Sequence, residues 1–184
     1  VSARTILLLD VDGTLSPLPL PGFDTDHDHT LTFTDGTTQQ VSARWRRFTG
    51  PDWLCTTGFG PVPFRPALVA RLNTLIGSGA VEPRWLTSWD DTANRLTDTG
   101  LTGVPWPVEP RGTGPVGGKV TAVARALTEH PHTRVVWCDD DIDARLAAVR
   151  ALHAAHGDRL LTVRPKRTYG LTDTDVDRIA AFAR

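Results

Sequence analysis

Residues 5–14 read TILLLDVDGT, and this stretch decides the fold. Its first five residues form an unbroken apolar run of β-compatible side chains. No polar position alternates with them, so the run reads as a strand buried on both faces, as in a parallel sheet. The run stops at Asp10, and Asp12 follows two residues later. Gly13 permits a tight turn there, so both carboxylates can enter one crevice beyond the strand end. Two such carboxylates suit a divalent cation, or a nucleophile with an acid–base partner. A plain acidic surface turn is the competing reading.

The pattern recurs downstream. Residues 133–138, TRVVWC, form a second apolar run that is closed by Asp139, Asp140 and Asp141, with Asp143 two residues on. Adjacent aspartates repel one another unless they are solvated or gathered round a cation. Aspartate also favours a helix N-terminus, so a simple acidic cap is the other reading. Shorter strands are expected at 84–86, ending at Thr87 and Ser88, at 105–108 and at 159–163. Helices are expected at 66–76, 90–96, 117–127 and 142–155, and from Thr172 to Phe182 with Thr172 as N-cap. Strands alternating with helices imply an α/β fold with a mostly parallel sheet covered on both faces. Ligands in such folds sit outside the carboxyl ends of the strands, where Asp10, Thr87 and Asp139 fall.

Residues 16–65 have a different character. SPLPLPG cannot be helix interior. TLTFTDGTTQQV alternates around Asp35-Gly36 and predicts a hairpin. Trp45, Phe48, Trp53 and Phe59 follow among glycines and prolines. The segment reads as a flap or small cap inserted into one domain covering residues 1–184. Its aromatic residues could stack on a base, although a small core of their own accounts for them better. Arg44, Arg46 and Arg47 read as a solvated face before a nucleic-acid contact. DTDHDH at 24–29 reads as a solvated loop before a second metal site.

The 184 residues carry 40% apolar and 22% charged side chains and a net charge of -1. No global field recruits nucleic acid. Cys55 and Cys138 form no metal-finger spacing and read as reduced thiols. No apolar run approaches the roughly 18 residues of a membrane span. The expectation is a cytoplasmic enzyme with no membrane partner, and the sequence is silent on oligomeric state. Lys119 is one of two lysines, in GPVGGKV. Val120 stands where a Walker loop needs Ser or Thr, which argues against a nucleoside-triphosphate P-loop. Counts from Asp10 and from Asp139 both miss the glycine and glutamate of an EF-hand.

Taken together, these elements resemble the haloacid-dehalogenase-like (HAD) superfamily of phosphohydrolases. DVDGT matches its first motif, the hydroxyl of WLTS its second (Thr87, with Ser88 as the close alternative), Lys119 its third and CDDDID its fourth. WLTSWDDTANR is also similar to small HAD domains associated with bacterial RNA-repair proteins. The resemblance implies a Rossmann-like three-layer α/β/α sandwich with a cap inserted between motifs one and two. It implies Asp10 as nucleophile, Asp12 as acid–base, and Thr87 and Lys119 as stabilisers of the transferring group. Mg²⁺ would be held by Asp10, the main-chain carbonyl of Asp12, and Asp139. Gly13, Thr14, Ser88 and Asp140 or Asp143 would support the site. The implied activity is phosphomonoester hydrolysis through an aspartyl-phosphate, on a phosphorylated substrate such as a nucleic-acid end. The alternatives are a phosphatase or phosphotransferase for nucleotides or sugar phosphates, and a non-catalytic binding module on the same fold.

Overall fold

The computed structural model describes residues 5–21, 26–57, 60–113 and 117–184. In chain order the elements are β1 (Thr5–Leu9), β2 (His29–Thr32), β3 (Thr38–Val41), β4 (Leu54–Cys55), β5 (Pro63–Phe64), α1 (Pro66–Gly77), β6 (Val81–Trp85), α2 (Gly118–Glu129), β7 (Val135–Cys138), α3 (Leu146–His156), β8 (Leu160–Val163) and α4 (Asp173–Ala183). Short 3₁₀ segments lie at Ala43–Phe48, Asp90–Thr99, Ile142–Arg145 and Gly157–Arg159.

The central sheet has the order β6-β1-β7-β8, with every pair parallel. All five residues of β1 are buried, because successive side chains of a strand point to opposite faces and both faces are covered here. Leu7 and Leu9 pack with Leu68 and Leu72 of α1 and with Val176 and Ile179 of α4. Ile6 and Leu8 pack on the other side with Val120 and Val123 of α2 and with Val149 and Leu152 of α3. The result is a three-layer α/β arrangement with a parallel core, a Rossmann-like fold.

The antiparallel insertion lies between β1 and α1. Its hairpin pairs Thr32 with Thr38 across a turn in which Gly36 has φ 83°. The Asp35 carboxylate accepts from the Thr37 amide at 2.9 Å and its hydroxyl at 2.6 Å, locking the turn. Leu31, Val41, Phe48 and Cys55 form a separate small core, with Trp45 and Trp53 packed edge-on against Phe48 at 5.9 and 5.0 Å. The insertion's tryptophans therefore pack, half-buried, against its small core. Its arginines anchor it: Arg44 donates to the Leu20 carbonyl at 2.8 Å, and Arg47 donates to the Thr168 carbonyl and stacks on Tyr169 at 3.9 Å. Phe59 and Asp24 lie outside the described residues.

Several expectations are refined. Residues 105–108 form only a bridge between Val108 and Trp85, and 90–96 is 3₁₀ rather than α. The helix expected over 142–155 is split, because Ile142–Arg145 is 3₁₀ and the α-helix starts at Leu146. The last helix starts at the expected N-cap, Thr172, which forms a capping box with Asp175. No helix among the described residues is long and apolar enough to cross a membrane.

Candidate active site

Register brings the polar strand ends together. Leu9 is the partner of Cys138 on one side and of Trp85 on the other. Asp10, Asp139 and the Thr87-Ser88 pair therefore leave three neighbouring parallel strands at the same sheet edge. The Asp10 amide still donates to the Cys138 carbonyl at 3.1 Å, and the Asp139 amide to the Val163 carbonyl at 3.1 Å. The sheet ladder thus fixes both aspartates up to their own backbone nitrogens.

Lys119, in the first turn of α2, reaches between them. Its Nζ lies 2.6 Å from Asp10 Oδ2 and 2.7 Å from Asp139 Oδ2. The three side chains are 14%, 6% and 0% exposed respectively, so this is a buried ion triad rather than a surface pair. The loop before α2 closes through glycine. The Gly112 amide donates to the Gly118 carbonyl at 3.0 Å, and a Cβ on Gly118 would stand 2.5 Å from the Gly112 oxygen.

Each carboxylate has further fixed donors. Asp10 Oδ1 accepts from the Val11 amide at 2.9 Å, and the Thr87 hydroxyl also hydrogen-bonds to this carboxylate. Asp139 accepts from the Asp141 amide at 2.8 Å and from Trp137 Nε1 at 3.2 Å. The Thr14 hydroxyl accepts from the Asp140 amide at 3.1 Å, tying the turn after β1 to the turn after β7. Gly13 has φ 69°, and a Cβ there would lie 2.5 Å from the Asp140 carboxylate. Only glycine lets these two turns approach so closely.

Burial pushes Asp10 up to about 6, with Lys119 pulling it down and Asp139 pushing it further up. Burial also raises Asp140, helped by Asp139. For Lys119 burial acts against the charge, but Asp10 and Asp139 outweigh it and hold the ammonium above its ordinary value. The lysine is therefore charged at neutral pH and keeps Asp10 largely ionised. The thiols take no part: burial pushes Cys55 up to about 12 and Cys138 higher still.

One carboxylate oxygen from each of Asp10, Asp139 and Asp140 lies within 4.8 Å of the others. This all-oxygen donor set suits a hard divalent cation. The Asp12 carboxylate is not in this cluster. It accepts a hydrogen bond from Trp89 Nε1 at 2.8 Å.

Comparison with family models, with curated proteins and with solved structures finds no match.

The site opens into a cleft of about 610 Å³. Asp10, Asp12, Ser88 and Lys119 face it, and Arg111, Arg145 and Arg167 stand around them. Thr87 is buried against Asp10, whereas Ser88 is exposed to the cleft. Asp143 is not brought to the cluster; it points outward and pairs with Arg164. Among the described residues, none from 16–65 lines the cleft. From sequence, Trp89 reads as a base-stacking or core residue, and its hydrogen bond to Asp12 was not foreseen; Trp137 and the three arginines were not singled out. Trp137 carried a faint signal, because residues two apart on a strand share a face, and it precedes Asp139 by two. The arginines carried none, since they come from three unrelated loops.

Proposed function

We propose that the chain is a Mg²⁺-dependent phosphomonoesterase of the HAD type that works through a covalent aspartyl-phosphate on Asp10. The observation that supports this most is the Asp10–Lys119–Asp139 triad at the carboxyl ends of adjacent parallel strands.

On this reading an Asp10 oxygen attacks phosphorus, and the bond from phosphorus to the leaving oxygen breaks. Asp12, in its protonated form, gives that oxygen its proton. Water then attacks phosphorus, Asp12 takes the water's proton, and the bond to Asp10 breaks to free phosphate and the carboxylate. Lys119 offsets the negative charge on the transferring group, and Thr87 keeps Asp10 aimed. Ser88, the hydroxyl open to the cleft, has access to a phosphoryl oxygen. Asp10, Asp139 and the Asp12 carbonyl would hold Mg²⁺, with Asp140 beside them, and the cation would supply electrostatic stabilisation of the phosphoryl oxygens. Trp89 holds the Asp12 carboxylate in one orientation.

The cleft walls come from the core, so the insertion leaves the mouth open among the described residues. That favours a substrate whose phosphate projects from a larger body, such as a nucleic-acid end, over a small metabolite enclosed by a lid. The test is release of phosphate from an aryl phosphate with Mg²⁺, compared with Asp10→Asn. Unchanged release by the variant removes Asp10 from the mechanism. Phosphorylated oligonucleotides run beside small phosphate esters then decide the substrate class.

A further inference from the structure

The cleft around Asp10 is lined by charged and small polar residues, and no apolar side chain appears among its described lining. Both signs line the cleft, and Asp12, Asp140 and the exposed Asp141 share its walls. The carboxylates of Asp10 and Asp139 lie at the bottom, nearly sealed from solvent, while Arg111, Arg145 and Arg167 stand at the rim. The three arginines come from different segments: the loop before α2, the 3₁₀ turn after β7, and the loop after β8. Three separate loops supplying the same side chain to one opening is not a consequence of folding the sheet.

The ion pairs of Arg111 and Arg145 do not explain them, and that of Arg167 to the largely buried Asp140 is long. Arg111 uses one nitrogen on Asp90 at 3.1 Å, Arg145 one nitrogen on Asp141 at 3.0 Å, and Arg167 its Nε on Asp140 at 3.5 Å. Asp90 and Asp141 are exposed, and exposed pairs contribute about 0–1 kcal/mol. A guanidinium has five N–H donors in a fork that matches phosphate oxygens. Among the described residues, the remaining nitrogens of all three forks have no partner. Lys119 and the buried carboxylates already account for the reacting phosphoryl group.

Building on the phosphatase reading, we infer that the rim is a second anion site, and that the substrate carries a second phosphate group close to the one transferred. Arg111, Arg145 and Arg167 determine that specificity. The second group is either a terminal phosphate or a phosphodiester, since both present oxygens to the forks.

The probes are non-hydrolysable, so binding is read whether or not turnover occurs. Propylphosphonate, propane-1,3-bisphosphonate and the bisphosphonate's monomethyl ester are titrated calorimetrically into the Mg²⁺-supplemented protein. The bisphosphonate is expected to bind at least tenfold more tightly than propylphosphonate, about 1.4 kcal/mol. The monomethyl ester separates the sources: full retention of the gain indicates a diester, and its loss indicates a terminal phosphate. Arg111→Gln and Arg167→Gln, both at exposed positions where folding is not at stake, should each reduce the ratio at least threefold. A wild-type ratio within twofold of one, or a ratio unchanged in the double variant, overturns the inference. Asp10-dependent hydrolysis of an aryl phosphate is scored separately. Hydrolysis without discrimination leaves the phosphatase reading intact and removes the rim site. Discrimination without hydrolysis does the reverse.

Discussion

Lys119→Met tests the electrostatics of the site without any assay of turnover. The substitution keeps the length and apolar stem of the side chain and removes its charge. In the native protein Nζ sits 2.6 Å from Asp10 and 2.7 Å from Asp139, whose side chains are 6% and 0% exposed. Removing the shared cation leaves two buried carboxylates facing each other, and breaking a buried ion group in this way costs about 3–5 kcal/mol. For a urea slope of about 2 kcal/mol per M, the unfolding midpoint at pH 8 in EDTA falls by about 2 M. The loss should shrink at pH 5. Asp10 already titrates at about 6 with the lysine present, and without it the carboxyl takes a proton more readily. Added Mg²⁺ should recover much of the lost stability at pH 8, because the cation replaces the missing charge. Urea titrations in EDTA and in Mg²⁺, at both pH values, read all three effects. A midpoint unchanged at pH 8, or an equal loss at both pH values, refutes the claim that Lys119 holds Asp10 ionised.

The wild-type protein in EDTA should itself be pH-sensitive. Asp10 has a folded value near 6 against an ordinary 3.8, so the folded state binds more protons between those limits. Stability therefore rises as pH falls from about 6 towards 4, by at most about 3 kcal/mol, and Asp10→Asn should flatten that slope in urea denaturation. Trp89→Phe removes the donor that fixes Asp12; a hydrogen bond of this kind contributes about 0.5–1.5 kcal/mol, and Trp89 is only half-buried. Turnover of an alkyl phosphate, which needs a protonated leaving group, should fall about tenfold more than turnover of p-nitrophenyl phosphate; equal losses would mean that Trp89 acts by packing alone. Gly13→Ala places a Cβ 2.5 Å from the Asp140 carboxylate on a backbone with φ 69°. It should weaken Mg²⁺ binding measured by calorimetry at least tenfold, about 1.4 kcal/mol, and unaltered binding would show that Asp140 stands apart from the cation.

The parts of the fold that were legible in the sequence are those dictated by local patterns. Ile6 to Leu9 have no polar position, so both faces of the strand had to be covered, and α1 to α4 cover them. Thr172 with Asp175, and Asp35 with Gly36, are short-range signals, and each produced the cap or turn that its chemistry requires. Adjacency of Asp10 and Asp139 was implied only by the family resemblance, because strand order depends on long-range packing that no local run encodes. The same limit applies to Trp89, 77 residues from Asp12 in sequence and joined to it by one hydrogen bond. The choice between Asp140 and Asp143 also depended on geometry. The 3₁₀ turn at Ile142–Arg145 carries Asp143 outward to Arg164, while Asp140 stays against Gly13. The tryptophans Trp45 and Trp53 serve the insertion's own core, as their setting among prolines and glycines suggested.

The most direct measurement is chemical capture of the covalent intermediate. The protein is mixed with an aryl phosphate and Mg²⁺, quenched in acid, reduced with borohydride and mapped by peptide mass spectrometry. Homoserine in place of Asp10, dependent on substrate and on Mg²⁺, is the expected result. Phosphate release in a burst with Asp10 unmodified, or with the label on another residue, contradicts the account.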